Sequence, residues 1–295
     1  VEGGKINDKA REAGDVVKLV EIEGKEQLLY LSQKLDVALI RATYADTEGN
    51  AVMSKEGTYA ETLSIAQAVK NSGGTVILQV ESVVEYGCLD PRLVKVPGIY
   101  VDYIVVAEPE NAKQSFATQY NPAYSGETRI PLDSLKPLAL DARKIVARRA
   151  AMELVPNAIT NLGIGMPEGV ASVAAEEGLE GMILTTESGT IGGVPAGGGD
   201  FGMTTNPDAI LDQPYQFDFY DGGGLDVAFL GLAQMDAEGN INVSKFGPKI
   251  PGCGGFIDIT QNSKKVVYCG TFKAAGLKVH VDDGKLVIDQ EGKVA

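Results

Sequence analysis

The chain has no tryptophan, a single histidine, and aromatic residues at only 6% of its 295 positions. The lone histidine narrows the chemistry. His280 lies in Leu277-Lys-Val-His-Val281, an alternating run that reads as a surface strand. A Ser-His-Asp triad or a histidine-rich metal site would have to be built on it. The expected chemistry therefore needs neither histidine nor metal. Cysteine is scarce too. Cys88, Cys253 and Cys269 are odd in number and show no ligand spacing, which fits a reducing cytosol better than a disulfide framework. No apolar run approaches a membrane span, and no basic-then-apolar leader is seen, so a cytoplasmic protein without a membrane partner is expected. Positive charge is outnumbered, with 26 Lys and Arg against 40 Asp and Glu, a net charge of −14 and a pI near 4.6. Nucleic acid and anionic surfaces are poor partners for such a chain. An anionic small ligand would have to be held by backbone dipoles and a few local cations.

Glycine is abundant, at 36 residues, and 44% of the chain is hydrophobic, which suits about two domains with cores and many tight turns. The densest stretch follows the strand-like run Gly181-Met-Ile-Leu-Thr-Thr186. That run ends at Glu187, and a loop with Gly189, Gly192, Gly193, Gly197, Gly198, Gly199 and Gly202 comes next. Loops at the carboxyl ends of strands are where open α/β sheets bind ligands. One carboxylate among exposed backbone N–H groups suggests a nucleophile or base beside an anion-tolerant pocket. The alternative is a flexible turn with a solvated glutamate. A second such unit runs from the strand Ala158–Leu162 through Gly163-Ile-Gly-Met-Pro167 into a helix over about 168–177.

Elsewhere the spacing predicts strands over 36–41, 75–80 and 100–107, with 75–80 of the continuous apolar kind buried on both faces. It predicts a turn at 46–50 and a helix from Glu61 to Asn71 stopped by Gly73-Gly74. Residues 108–140, with Pro109, Pro122, Pro131 and Pro137, show no periodicity and read as a connector, either a linker or an arm packed on a domain. A helix capped by Asp141 follows, and later a strand at 265–269 and a hairpin over 277–290 turning at Asp283-Gly284.

A repeat sets the architecture. Residues 36–55 lie on residues 226–245 with a shift of 190 and no gap, and nine of the twenty positions match. The same shift places Val76-Ile77 on Val266-Val267. Self-similarity at so long a spacing means two related domains. The front of the second copy, about 157–225, holds both glycine-rich sites, and its counterpart falls mostly before residue 1. The first domain is therefore expected to lack its front. Asn242 is polar where its repeat partner Val52 is apolar, which suits a site in one domain only or a loop asparagine bonding its own backbone.

Asn161-Leu-Gly-Ile-Gly-Met-Pro167, Glu187-Ser-Gly with the polyglycine loop, and Gly252-Cys-Gly-Gly-Phe256 together resemble family I coenzyme A transferases of the single-chain propionate or acetate type. The likeness extends over the whole chain, including Lys95-Val-Pro-Gly-Ile-Tyr-Val-Asp-Tyr103 and Gln216 to Gly224. It implies two related open α/β domains with mostly parallel sheets and the active site at their interface. The divisions would be 1–140, the rear of a truncated first domain plus connector, and 141–295, the domain with the nucleophile. It implies that Glu187 attacks an acyl-CoA to form an acyl-glutamyl anhydride and then a glutamyl-CoA thioester, passing CoA to a short-chain carboxylate. Gly163, Gly165, Gly254 and Gly255 would line the CoA and acyl site, with Asn242 beside them. Coenzyme A is then substrate and covalent intermediate, no cofactor is tightly bound, and a homo-oligomer is expected. The competing readings are an acyl-CoA hydrolase on the same scaffold and a non-catalytic small-ligand-binding module. The family's glycine-rich loop in the front of the first domain is absent from this sequence, so the 295 residues alone are expected to hold an incomplete site.

Overall fold

Two sheets divide the repeats between them. The computed structural model describes residues 16–132, 137–271, 273, 274, 276, 278–291, 293 and 294. Residues 1–8, which read as a loop in the sequence, and Leu277 of the expected hairpin lie outside them. The first sheet holds β1 (Val37–Arg41), β2 (Thr75–Val80) and β3 (Tyr103–Val106), all parallel and in that order. Helix α1 (Thr62–Asn71) joins β1 to β2 and ends where expected, with the Gly74 N–H donating to the Val69 carbonyl at 2.9 Å and Gly73 in the left-handed region. Its Ala66 and Val69 pack on Ala38, Ile40, Val76 and Leu78.

The second sheet holds β4 (Ile159–Leu162), β5 (Ile183–Thr185), β6 (Thr190–Ile191), β7 (Ala209–Ile210), β8 (Val227–Gly231) and β9 (Lys265–Cys269), in the order β7-β6-β5-β4-β8-β9. The four strands β5, β4, β8 and β9 are parallel, while β6 and β7 run antiparallel at one edge. Helices α2 (Ala142–Ala151) and α3 (Glu168–Glu176) cover one face, packing Ala147, Ala150, Val170 and Val173 with Val227 and Phe229. Helices α4 (Gln213–Asp221) and α5 (Phe256–Gln261) cover the other with Tyr220 and Ile259 against Ala228 and Leu230. The Asp141 carboxylate caps α2 by accepting from the Lys144 N–H at 3.0 Å.

The repeat holds in three dimensions. Val37 pairs with Thr75, and Val227 with Lys265, so the shift of 190 carries one register onto the other. Val69 of α1 falls on Ile259 of α5, and each packs against the strand before it. The shared Asp-x-Glu-Gly-Asn run has a local cause. Asp46 accepts from the N–H groups of Glu48 and Asn50 at 3.0 and 2.9 Å and from the Asn50 amide at 3.0 Å. Asp236 repeats this with Glu238 and Asn240 at 3.1, 2.8 and 2.7 Å. A turn built by one carboxylate on its own backbone needs those residue types at that spacing.

One expectation is corrected, and one pair of alternatives is resolved. β2 is not buried on both faces, since its buried positions alternate with half-buried ones, and on the neighbouring β1 the same face leaves Val37 57% and Leu39 79% exposed. Among the described residues only α1 lies on this pair, and it covers one side. Residues 108–132 are an arm packed on the second half rather than a free linker. Ala123 and Tyr124 are buried, and Asn206 exchanges hydrogen bonds with the Ile130 backbone at 2.9 and 2.7 Å.

Candidate active site

In the second sheet the chain leaves β4 for β5 on one side, while β8 lies on the other. The crevice beyond the carboxyl ends of strands at such a switch point is the usual ligand site. A cleft of about 360 Å3 opens there. The end of β4 supplies Asn161 to Ile164, the turn after β5 supplies Glu187, β8 supplies Leu230 to Ala233, and the loop 252–256 closes the last side.

Glu187 is half-buried, and among the described residues no donor reaches its carboxylate. Burial raises its pKa above the ordinary glutamate value, and the negative charge of Glu61 raises it further. Both effects disfavour the ionised form and leave a poorly solvated carboxylate. Its Oε2 lies against Gly255, where a Cβ would stand 2.4 Å from it, so any larger residue would displace the carboxylate. Among the described residues the N–H groups of Gly254 and Gly255 make no hydrogen bond. The cleft thus brings a free carboxylate together with free backbone donors. That pairing suits attack on a carbonyl with stabilisation of the resulting oxyanion.

The other candidate residues divide. Gly163 lines the cleft, but its N–H donates to the Phe229 carbonyl at 2.8 Å. Gly165 borders a separate hollow beside α2 and α3, and its N–H donates to Glu168 Oε1 at 2.8 Å. Asn242 does not line the cleft, although its neighbour Val243 does. Its amide donates to Gln234 Oε1 at 2.6 Å and the Lys245 carbonyl at 2.8 Å, and its oxygen accepts from the Ser244 N–H at 3.2 Å. These bonds to nearby backbone are those of the alternative reading, although Asn242 sits on the short strand Ile241–Asn242 rather than in a loop. His280 pairs with Asp289 at 2.8 Å across the hairpin strands 278–282 and 285–290.

Beneath the turn that carries Glu187 lies a buried polar network. The Tyr220 hydroxyl receives the Gln216 amide at 2.9 Å and the Asn161 amide at 3.2 Å, and donates to Thr185 Oγ1 at 2.7 Å. Burial pushes this phenol up to about 12. Gln216 also donates to the Thr186 carbonyl at 3.2 Å, holding the peptide just before Glu187. Residues of the first half reach this turn and the start of α4. Thr58 Oγ1 donates to the Ser188 carbonyl at 2.5 Å, the Gln213 N–H donates to the Ala60 carbonyl at 3.0 Å, and Lys95 pairs with Asp212 at 3.4 Å. Ala60 takes a left-handed backbone there, with φ 47°.

Comparison with known proteins bears on this arrangement. Residues 3–107 match the family described as Coenzyme A transferase. The chain is 49% identical over 300 residues to the caffeate CoA-transferase of Acetobacterium woodii, covering 99% of this chain and 57% of that protein. It is 46% identical over 294 residues to the acetate CoA-transferase YdiF of Escherichia coli strain K12, covering 99% and 55%. The chain belongs to the coenzyme A transferase family. The crystal structure of the acyl-CoA transferase YdiF apoenzyme from E. coli O157:H7 superposes with a TM-score of 0.86 at 43% identity, over 99% of this chain and 55% of that one. A thioester complex of that enzyme with CoA gives 0.83 at 45% identity, over 95% and 52%. The chain spans about half the length of these relatives.

Three features of this transferase-family site escape sequence reasoning. Glu61 influences Glu187 across 126 positions of chain, and no local pattern announces that. The Gln216–Tyr220 pair is spaced i, i+4 on α4, but its polar and aromatic composition hides the helix. Cys253 lines the cleft as part of a glycine turn whose chemistry belongs to its neighbours.

Proposed function

We propose that the protein to which this chain belongs transfers coenzyme A between a short-chain acyl-CoA and a free carboxylate of the acetate or propionate class, with Glu187 as nucleophile. The observation that carries this reading is the free, half-buried Glu187 carboxylate beside the unpaired N–H groups of Gly254 and Gly255. The thioester complex with CoA of the related YdiF enzyme agrees with it. The carboxylate oxygen attacks the thioester carbonyl carbon. The C–S bond breaks, and the products are a mixed anhydride and CoA thiolate. The thiolate then attacks the glutamyl carbonyl of that anhydride, breaking its C–O bond to release the first acid and leave CoA on Glu187 as a thioester. An incoming carboxylate reverses both steps. Each intermediate stays activated, so no ATP is needed. Neither nucleophile needs a proton removed near neutral pH, so no histidine is required.

Gly254 and Gly255 are the donors free to hold the oxyanion, whereas Gly163 serves as a wall of the cleft. Residues 1–140 and 141–295 are the two domain portions, which meet at Thr58, Ala60 and Lys95. The test uses the protein as its cell makes it, with and without Glu187→Gln. Each is incubated with acetyl-CoA or propionyl-CoA and quenched in acid, and the peptide carrying residue 187 is weighed. The expected result is CoA mass on the wild type alone. A wild-type peptide that stays unmodified while acyl-CoA binds would rule out Glu187 as the carrier. Free CoA formed without an acceptor acid would point to hydrolysis instead.

A further inference from the structure

We propose that Glu168 is a positioning residue for the reaction at Glu187, joining the two glycine loops that shape the cleft. The proposal rests on the reading of Glu187 given above. Glu168 opens α3 and does not line the cleft. Its Oε1 accepts from the Gly165 N–H at 2.8 Å, and its Oε2 accepts from the Gly198 N–H at 3.3 Å, thirty residues away. A Cβ on Gly197 would stand 2.5 Å from that same oxygen, so the polyglycine loop is shaped around the carboxylate. A carboxylate offers an acceptor on each of its two oxygens, one for each loop. The first turn of a helix is a favourable place for its charge.

Both loops lead to the reacting group. Gly165 closes the turn whose Gly163 and Ile164 line the cleft. In the polyglycine loop, Asp200 is anchored from the arm by Ser115, by Thr118 at 2.9 Å and by Tyr124 at 3.3 Å. Two residues on, the Gly202 carbonyl accepts from Ser188 Oγ at 2.5 Å, next to Glu187. Thr186 Oγ1 lies 2.7 Å from the same Ser188 hydroxyl. Glu168 therefore fixes one end of a path that runs through Gly198, Gly202 and Ser188 to the nucleophile. Freed from it, the loop keeps its Asp200 anchor but loses its register against the Gly163–Gly165 turn. A displacement of an ångström at a reacting group can cost about a hundredfold in rate.

The experiment compares wild type, Glu168→Gln and Glu168→Ala in the protein as its cell makes it. It reads the rate of CoA attachment to residue 187, the KM for acyl-CoA, the Tm, and amide hydrogen exchange in peptides covering 194–203 and 225–232. Glu168→Ala is expected to slow attachment about 10- to 100-fold and leave KM within about threefold. Exchange should quicken in 194–203 but not in 225–232. Glu168→Gln keeps one acceptor oxygen and should fall between. An unchanged attachment rate would overturn the proposal. So would a loss confined to KM, or faster exchange in both peptides with a matching fall in Tm. A wild type that never carries CoA on residue 187 sinks the reading of Glu187 and the catalytic part of this proposal. Exchange in 194–203 then still decides whether Glu168 joins the loops.

Discussion

On β8, Val227 and Phe229 lie under α2 and α3 and are 3% and 0% exposed, whereas the matching Val37 and Leu39 on β1 stand at 57% and 79%. The opposite faces agree, with Ala38 and Ile40 under α1 as Ala228 and Leu230 are under α5. The neighbours differ as well. β8 sits between β4 and β9, while among the described residues β1 has β2 alone beside it. What the copies share is thus what the strand–helix–strand unit makes for itself: register, turn and one covered face. What they do not share comes from α2, β4 and α3, which precede the unit in the second half. The same preceding segments carry the Gly163 turn and lead to Glu187, so the covered face and the candidate site arrive together.

The comparison can be broken most sharply in the core. Phe229→Ala should cost about 3–5 kcal/mol, the range for deleting a buried aromatic side chain. Leu39→Ala should stay within about 0.5 kcal/mol, as exposed substitutions do. Denaturant midpoints of the two variants check the pair, and equal costs would mean that the β1 face is covered in solution. The duplicated turn gives a smaller contrast. Asp46 is 2% exposed and Asp236 lies in an exposed turn. Removing a buried carboxylate strands its donors, so Asp46→Ala should cost about 2–3 kcal/mol, against about 1 for Asp236→Ala. Thermal melts would show it. The smallest effect concerns the contact between the halves. In the proposed reaction attack requires ionised Glu187, whose raised pKa should place the acid limb of the rate profile above the ordinary glutamate range, with activity lost as pH falls through that pKa. Glu61→Gln removes one of the two causes, so the limb should move to lower pH. A limb that stays in place would show that burial alone sets it.

Much of this was legible in the residues because its causes are local. Asp46 and Asp236 build their turns from the next four positions, Asp141 caps the helix it precedes, and Gly73-Gly74 stops α1. Glu187 at a strand end before a glycine loop was legible for the same reason. Other features depend on distant parts. The run Thr75–Val80 looks buried on both sides because apolar content does not say what lies on it. The arm at 108–132 has no period, since side-chain bonds to Asp200 and Asn206 hold it. Helix α5 is six residues long, too short for a pattern. That the Asn242 amide is occupied by Gln234 and Lys245 is a matter of folded geometry that the sequence does not carry.

The outer edge of β1 has a consequence in the test tube. Among the described residues no strand pairs with it, and it runs uncharged along Val-Ala-Leu-Ile between Asp36 and Arg41, beside the exposed Val37 and Leu39 side chains. An uncharged edge next to an apolar face is a template for another strand. Handled alone at high concentration, these 295 residues should be limited by solubility before stability, with scattering that rises with concentration while the helices and strands remain intact.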